Sequence, residues 1–99
     1  MRIISRRTLR EFWEQPDHQD AEQPLKAWHA EASNATWRTP ADIKAHYGHA
    51  SIVANNRVVF NIAANKYRLV IKFHYNTGTG FVRFVGTHAD YNKIDAEVI

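Results

Sequence analysis

The hydrophobic period of this chain changes at Gly48, and that change limits the folds open to it. Before Gly48, apolar side chains recur at helical spacing; after it, they alternate every second residue. Helices followed by strands point to an α+β domain, with helices packed on one face of an antiparallel sheet. The alternation is sharpest over Tyr67–Tyr75. There Tyr67, Leu69, Ile71, Phe73 and Tyr75 point to one side, and Arg68, Val70, Lys72 and His74 to the other.

Local signals place the elements. Arg2–Ile4 reads as a short edge strand, and Ser5 as the N-cap of a helix running to about Gln15, with Leu9, Phe12 and Trp13 on its apolar face. A second helix is predicted from about Ala21 to Ser33, capped by Asp20, with Pro24 in its first turn and Leu25, Trp28 and Ala32 as its stripe. Thr39-Pro40-Ala41-Asp42 has the form of a cap, a proline at the first helical position and an acid on the positive helix end. The third helix carries Ile43 and Tyr47. Ser51–Ala54 and Arg57–Ala63 read as strands joined through Asn55-Asn56, a pair suited to positive φ. Tyr67–Tyr75 and Phe81–Gly86 follow, joined by a loop at Asn76–Gly80.

Sorted by period, Val58, Phe60, Ile62, Val82 and Phe84 join the core face. The other face then presents Arg57, Asn61, Arg68, Lys72, His74 and Arg83 together, with Val59, Phe81 and Val85 among them. Between Ser51 and Ala89 there are five Lys or Arg residues and no acid, whereas residues 1–50 hold seven of each sign. Like charges gathered on one face repel, so the natural counterpart is a polyanion such as RNA or DNA.

The 99 residues suit one domain, 1–99, with a modest core, and the absence of cysteine removes disulfides and thiolate chemistry. No apolar run approaches the roughly 20 residues of a membrane span. The first dozen residues lack the form of a secretory signal, so a cytoplasmic protein with no membrane partner is the expectation. His46 and His49 are one turn apart but have no acid or cysteine pattern beside them, so no metal or other cofactor is expected. Trp37 fits either the core or a partner-binding surface.

The run Phe60, Asn61, Asn65, Tyr67, Arg68, Leu69, followed by Thr87, His88 and Tyr91, resembles the HigB toxins of the RelE/ParE superfamily. The resemblance is strongest over Asn55–Asp95. It implies a RelE-like fold, with N-terminal helices on one face of a C-terminal twisted antiparallel sheet. It also implies an mRNA interferase of a type II toxin–antitoxin system, an endoribonuclease that cuts mRNA on the ribosome without a metal. The implied partners are mRNA on the ribosome and a helix-turn-helix antitoxin of the HigA kind. The toxin alone would be a monomer, and the complex would pair two of each chain.

The implied chemistry is attack of a 2′-hydroxyl on the adjacent phosphate, which needs a base, an acid and cations around the transition state. Arg68 is the expected phosphate clamp, because a guanidinium offers two parallel donors. His88 is the acid/base candidate, since imidazole is the side chain that ordinarily titrates nearest neutrality. Tyr91 is placed to stack on a base or share the proton transfer. Asn61 and Asn65 are expected to hold sugar or phosphate, with Asn65 also suited to the turn before Tyr67; Lys72 and Arg83 add positive field. Some relatives carry two lysines on the strand that here reads Val59-Phe60-Asn61, so that source of proton transfer is missing. Two rival readings share these residues: a toxin of the same fold that blocks a protein such as gyrase, and a plain RNA-binding module. In the plainest structural reading, Arg68 is an exposed strand arginine, His88 caps a turn and Tyr91 packs at the core edge, with Arg57, Lys66 and His74 ordinary surface residues.

Overall fold

The helical half starts at its capping residues. In the computed structural model, which describes residues 1–99, strand β1 (Arg2–Ile4) leads into helix α1 (Arg6–Trp13), and the Ser5 hydroxyl accepts from the Thr8 amide at 3.4 Å. A 3-10 segment over Pro16–Ala21 precedes helix α2 (Glu22–Asn34). Asp20 does not cap that helix; Ala21 holds the cap position without a side-chain bond. The Asp20 carboxylate instead accepts from Lys66 and from the Tyr67 hydroxyl. Burial of the Tyr67 ring, 1% exposed, leaves its hydroxyl needing an acceptor, and the acid that serves it belongs to the helical half. Helix α3 (Pro40–His46) opens on a reciprocal capping box between Thr39 and Asp42.

Strands β2 (Ser51–Val53), β3 (Arg57–Ile62), β4 (Tyr67–His74) and β5 (Thr79–Thr87) form one sheet with β1, in the order β1-β5-β4-β3-β2. β1 runs parallel to β5, so the sheet is mixed rather than wholly antiparallel. The helices between them supply the long crossover that parallel pairing requires. Asn55 and Asn56 take φ of 61° and 63° in the β2–β3 turn, as that pair of residues predicts. The last strand runs directly into one helical turn, α4 (His88–Tyr91), capped by Thr87. No helix is long and apolar enough to cross a membrane.

One face of the sheet carries the main core. Val58, Phe60, Ile62, Tyr67, Leu69, Ile71 and Phe73 pack against Leu9, Phe12, Trp13, Leu25, Trp28 and Ile43. Trp37 belongs here too, with its ring centroid 5.9 Å from that of Phe73. Strand β5 departs from the predicted alternation. Ile71 pairs with Val82 and Val70 with Phe84, so Arg83 is an extra residue, a β-bulge. The bulge shifts the pattern by one position, so that Val85 packs with the main core and Phe84 turns to the opposite face.

That opposite face is not the open basic surface the alternation suggests. Val59 and Val70, 1% and 0% exposed, lie under Ala96, with Phe84, Tyr91 and Ile99 packed around them. Arg57 is buried, and its guanidinium donates to the main-chain oxygens of Ile99 (3.1 and 2.5 Å) and Asn55 (2.9 Å). The Asn55 side chain donates to the main-chain oxygen of Glu97 at 3.0 Å. Two valines side by side on neighbouring strands leave an apolar strip that water does not favour, and the segment after α4 covers it.

The Asp20 contact gives a pH test. Its hydrogen bond from Lys66, and next that from Tyr67, hold the carboxyl below the ordinary carboxylate range. A group lowered in this way adds stability above its unfolded pKa, and that stability is lost as pH falls through the folded value. The melting temperature should therefore drop as pH falls below about 4. Asp20→Asn should melt lower near neutrality and show less of this acid loss. Melting curves that stay parallel to wild type at every pH would contradict the assignment.

Candidate functional site

Register pairs build the site. Arg68 lies opposite Asn61 on one side and Gly86 on the other, giving a row across three strands at one end of the second face. Gly86 is buried, and a Cβ there would sit 2.6 Å from Phe84 Cζ, so the missing side chain is what lets the Phe84 ring lie across the strand. The Tyr91 ring is 6.2 Å from that of Phe84, and the Arg68 guanidinium carbon lies 5.1 Å from the Tyr91 centroid. This is cation–π distance.

His88 opens α4 because Thr87 caps it, accepting from the Asp90 amide at 3.1 Å. Its Nε2 lies 3.1 Å from Arg68 Nε, which donates to it, and 3.2 Å from Asn65 Oδ1. One ring nitrogen cannot serve both contacts at once. Without a proton Nε2 accepts from Arg68; with a proton it donates to Asn65. Nε2 thus has a partner whether bare or bearing a proton, the latter in the neutral Nε2–H tautomer as well as in the imidazolium. Asn65 reaches this position from a loop in which Ala63, Ala64 and Asn65 take φ of 55°, 52° and 75°. Asparagine tolerates that region, whereas two alanines there cost roughly 1–2 kcal/mol each, a strain the surrounding turn must impose.

Arg68, His88, Tyr91 and Asn65 are therefore brought into one cluster, with Asn61 opposite Arg68. Asn61 Nδ2 donates to the His49 carbonyl at 3.3 Å, and both asparagines line a cleft of about 570 Å³ together with His46, Tyr47 and His49. Lys72 and Arg83 lie apart. The covered Val59–Val70–Phe84 row separates Lys72 from Arg68, and Arg83 is the exposed bulge residue. Of the other cations expected on this face or beside it, Arg57 is engaged by main-chain oxygens and Lys66 by Asp20. His74 is exposed, its ring 5.2 Å from Phe81. His46 bonds Glu31 at 3.0 Å, and no three His, Cys, Asp or Glu side chains stand close enough to share a metal ion.

Arg68 takes part in none of the four ion pairs of the chain. A half-buried guanidinium without an acid, beside an imidazole and a phenol, suits a ligand that brings its own negative charge. Sequence reasoning missed Gly86 and the covering segment. Both left a signal: a glycine inside a strand, and two valines on an otherwise polar face.

Gly86→Ala should force the Phe84 ring out of place and lower stability by about 1–3 kcal/mol in urea unfolding. Adding Phe84→Leu should recover part of that loss, since the smaller side chain frees the space; strictly additive losses would show that the two do not touch.

The family described as HigB_toxin, the RelE-like toxic component of a toxin–antitoxin system, matches residues 21–94. The match takes in Asn61, Asn65, Arg68, His88 and Tyr91 and leaves out Ala96 and Ile99. No curated protein matches the chain.

Proposed function

The chain belongs to the HigB family of RelE-like toxins, and from that premise we propose that it is an endoribonuclease that cuts mRNA on the ribosome and so arrests translation. Arg68 holds the scissile phosphate. His88 Nε2 takes the proton from the 2′-hydroxyl as the new O–P bond forms, and the bond from phosphorus to the 5′-oxygen breaks. The products are a cyclic 2′,3′-phosphate and a free 5′-hydroxyl, with the leaving oxygen protonated from Tyr91 or from the imidazolium. No metal enters the scheme, because the guanidinium supplies positive charge where the phosphorane develops negative charge. Lys72 and Arg83, outside the cluster, steer the RNA backbone. A helix-turn-helix antitoxin silences the toxin in an assembly of two chains of each, and the site of action is the cytoplasm, where ribosomes are.

The observation that carries this reading is the pair of alternative partners at His88 Nε2, Arg68 when bare and Asn65 when protonated. A general base must be stable on both sides of its proton transfer. The same contacts favour nuclease action over a blocking toxin, which has no use for a proton-accepting nitrogen beside a phosphate clamp.

The test is to map mRNA 5′ ends after induction, with and without translation. Arg68→Ala and His88→Ala should each lower cutting about 10²-fold or more and relieve growth arrest, with melting temperatures near wild type. Growth arrest without new 5′ ends would exclude the nuclease, and full toxicity of both variants would move the site elsewhere.

A further inference from the structure

The cleft beside the cluster has no part in the chemistry just described, yet it shares a wall with it. Its near side is Asn65, whose Oδ1 lies 3.2 Å from His88 Nε2. Its floor is Asn61, directly opposite Arg68 in the β3–β4 register. Its far side is the turn Tyr47-Gly48-His49-Ala50 that follows α3. Side chains directly opposite on neighbouring strands stand about 5 Å apart at Cβ. A phosphate on Arg68 therefore lies beside Asn61, with Asn65 next to it through His88, and the cleft that both asparagines line is open to a base attached to that phosphate.

The lining suits a base. Asn61 uses one N–H on the His49 carbonyl, which fixes the amide plane and leaves its second N–H and its carbonyl oxygen unpartnered. That leftover pair, a donor beside an acceptor, is the pattern an amide uses to grip a base edge. The His49 imidazole is exposed and has neither ring nor hydrogen-bond partner, so one face is free to stack. Tyr47 is already engaged. Its hydroxyl donates to Glu31 at 3.0 Å, and its ring is stacked on His46 at 4.5 Å and packed edge-on against Phe60. With Tyr47 engaged, the cleft offers the free groups of Asn61 and His49.

We infer that this cleft binds the splayed-out base of a nucleotide joined by the scissile phosphate, with Asn61 reading its edge and His49 stacking on its face. The inference rests on the nuclease reading and deepens it: Arg68 and His88 cut, and Asn61 and His49 choose where. Neither touches the reacting atoms, so their removal should change the choice of site as well as the rate.

The experiment is to sequence all cut sites made by wild type, Asn61→Ala and His49→Ala in one transcript pool, with each base distribution normalised to that protein's total cuts. Wild type should favour particular bases at one position next to the cut, and both variants should flatten that preference at least several-fold, Asn61→Ala the more. Asn61→Gln, which keeps the amide on a longer stem, should restore or shift the preference. Fewer cuts with an unchanged distribution would mean that the residues serve only structure, and this overturns the inference while leaving the nuclease reading intact. No preference in wild type at either neighbouring position would overturn it as well. An absence of cutting by wild type would remove both.

Discussion

Every other element leans on the two-sided burial of β4. Its first face, Tyr67, Leu69, Ile71 and Phe73, receives the helices; its second face is sealed at Val70 by Ala96 and the residues around it. A strand buried on both faces cannot slip by one residue, because each side would then expose apolar groups and bury charge. Arg68 therefore has a fixed register. Its neighbours Asn61 and Gly86 are fixed with it, and so is the place at which β5 hands the chain to α4 and His88.

The second face divides into three rows. At one end Asn61, Arg68 and Gly86 make the floor of the site. In the middle Val59, Val70 and Phe84 lie under the covering segment. At the other end Arg57 faces Lys72, which faces Phe81. Arg57 and Lys72 are like charges directly opposite each other, an arrangement that repels unless one turns away. Arg57 turns toward the oxygens of Ile99 and Asn55, and in doing so it anchors the segment that covers the middle row. The charge expected among six polar residues on an open face is thus a clasp, and the cover it holds packs with Tyr91 over the two valines.

What could be read in the sequence followed from local rules. Ser5 and the Thr39–Asp42 box obey short-range capping geometry, and the odd positions of β4 obey the pleat, so these appear where period and residue type place them. The meeting of Arg68, His88, Tyr91 and Asn65 was legible through family resemblance, because their spacing in sequence carries no distance. The rest depended on events that alternation cannot encode. A single bulge at Arg83 exchanged the sides of Phe84 and Val85. Asp20 gave up its helix cap for a phenol and an ammonium 46 or more residues away. Nothing polar about residues 92–99 advertises a cover, but an isolated pair of valines on a charged face implies that one must exist.

The electrostatics follow from this sorting. Five cations in a stretch without acids would strain a compact state if all faced the same water. Two are engaged by partners that local sequence does not reveal, Lys66 by the Asp20 carboxylate and Arg57 by main-chain oxygens, and two more, Lys72 and Arg83, stand apart. Only Arg68 is half-buried against an imidazole and an aromatic ring with no anion in contact. Desolvated in part and unpaired, it gains more from a phosphate than an exposed lysine would, since its attraction is screened less by water. The fold engages or disperses the other charges and leaves this one without an anion, and it puts beside it a ring nitrogen that has a partner whether bare or bearing a proton.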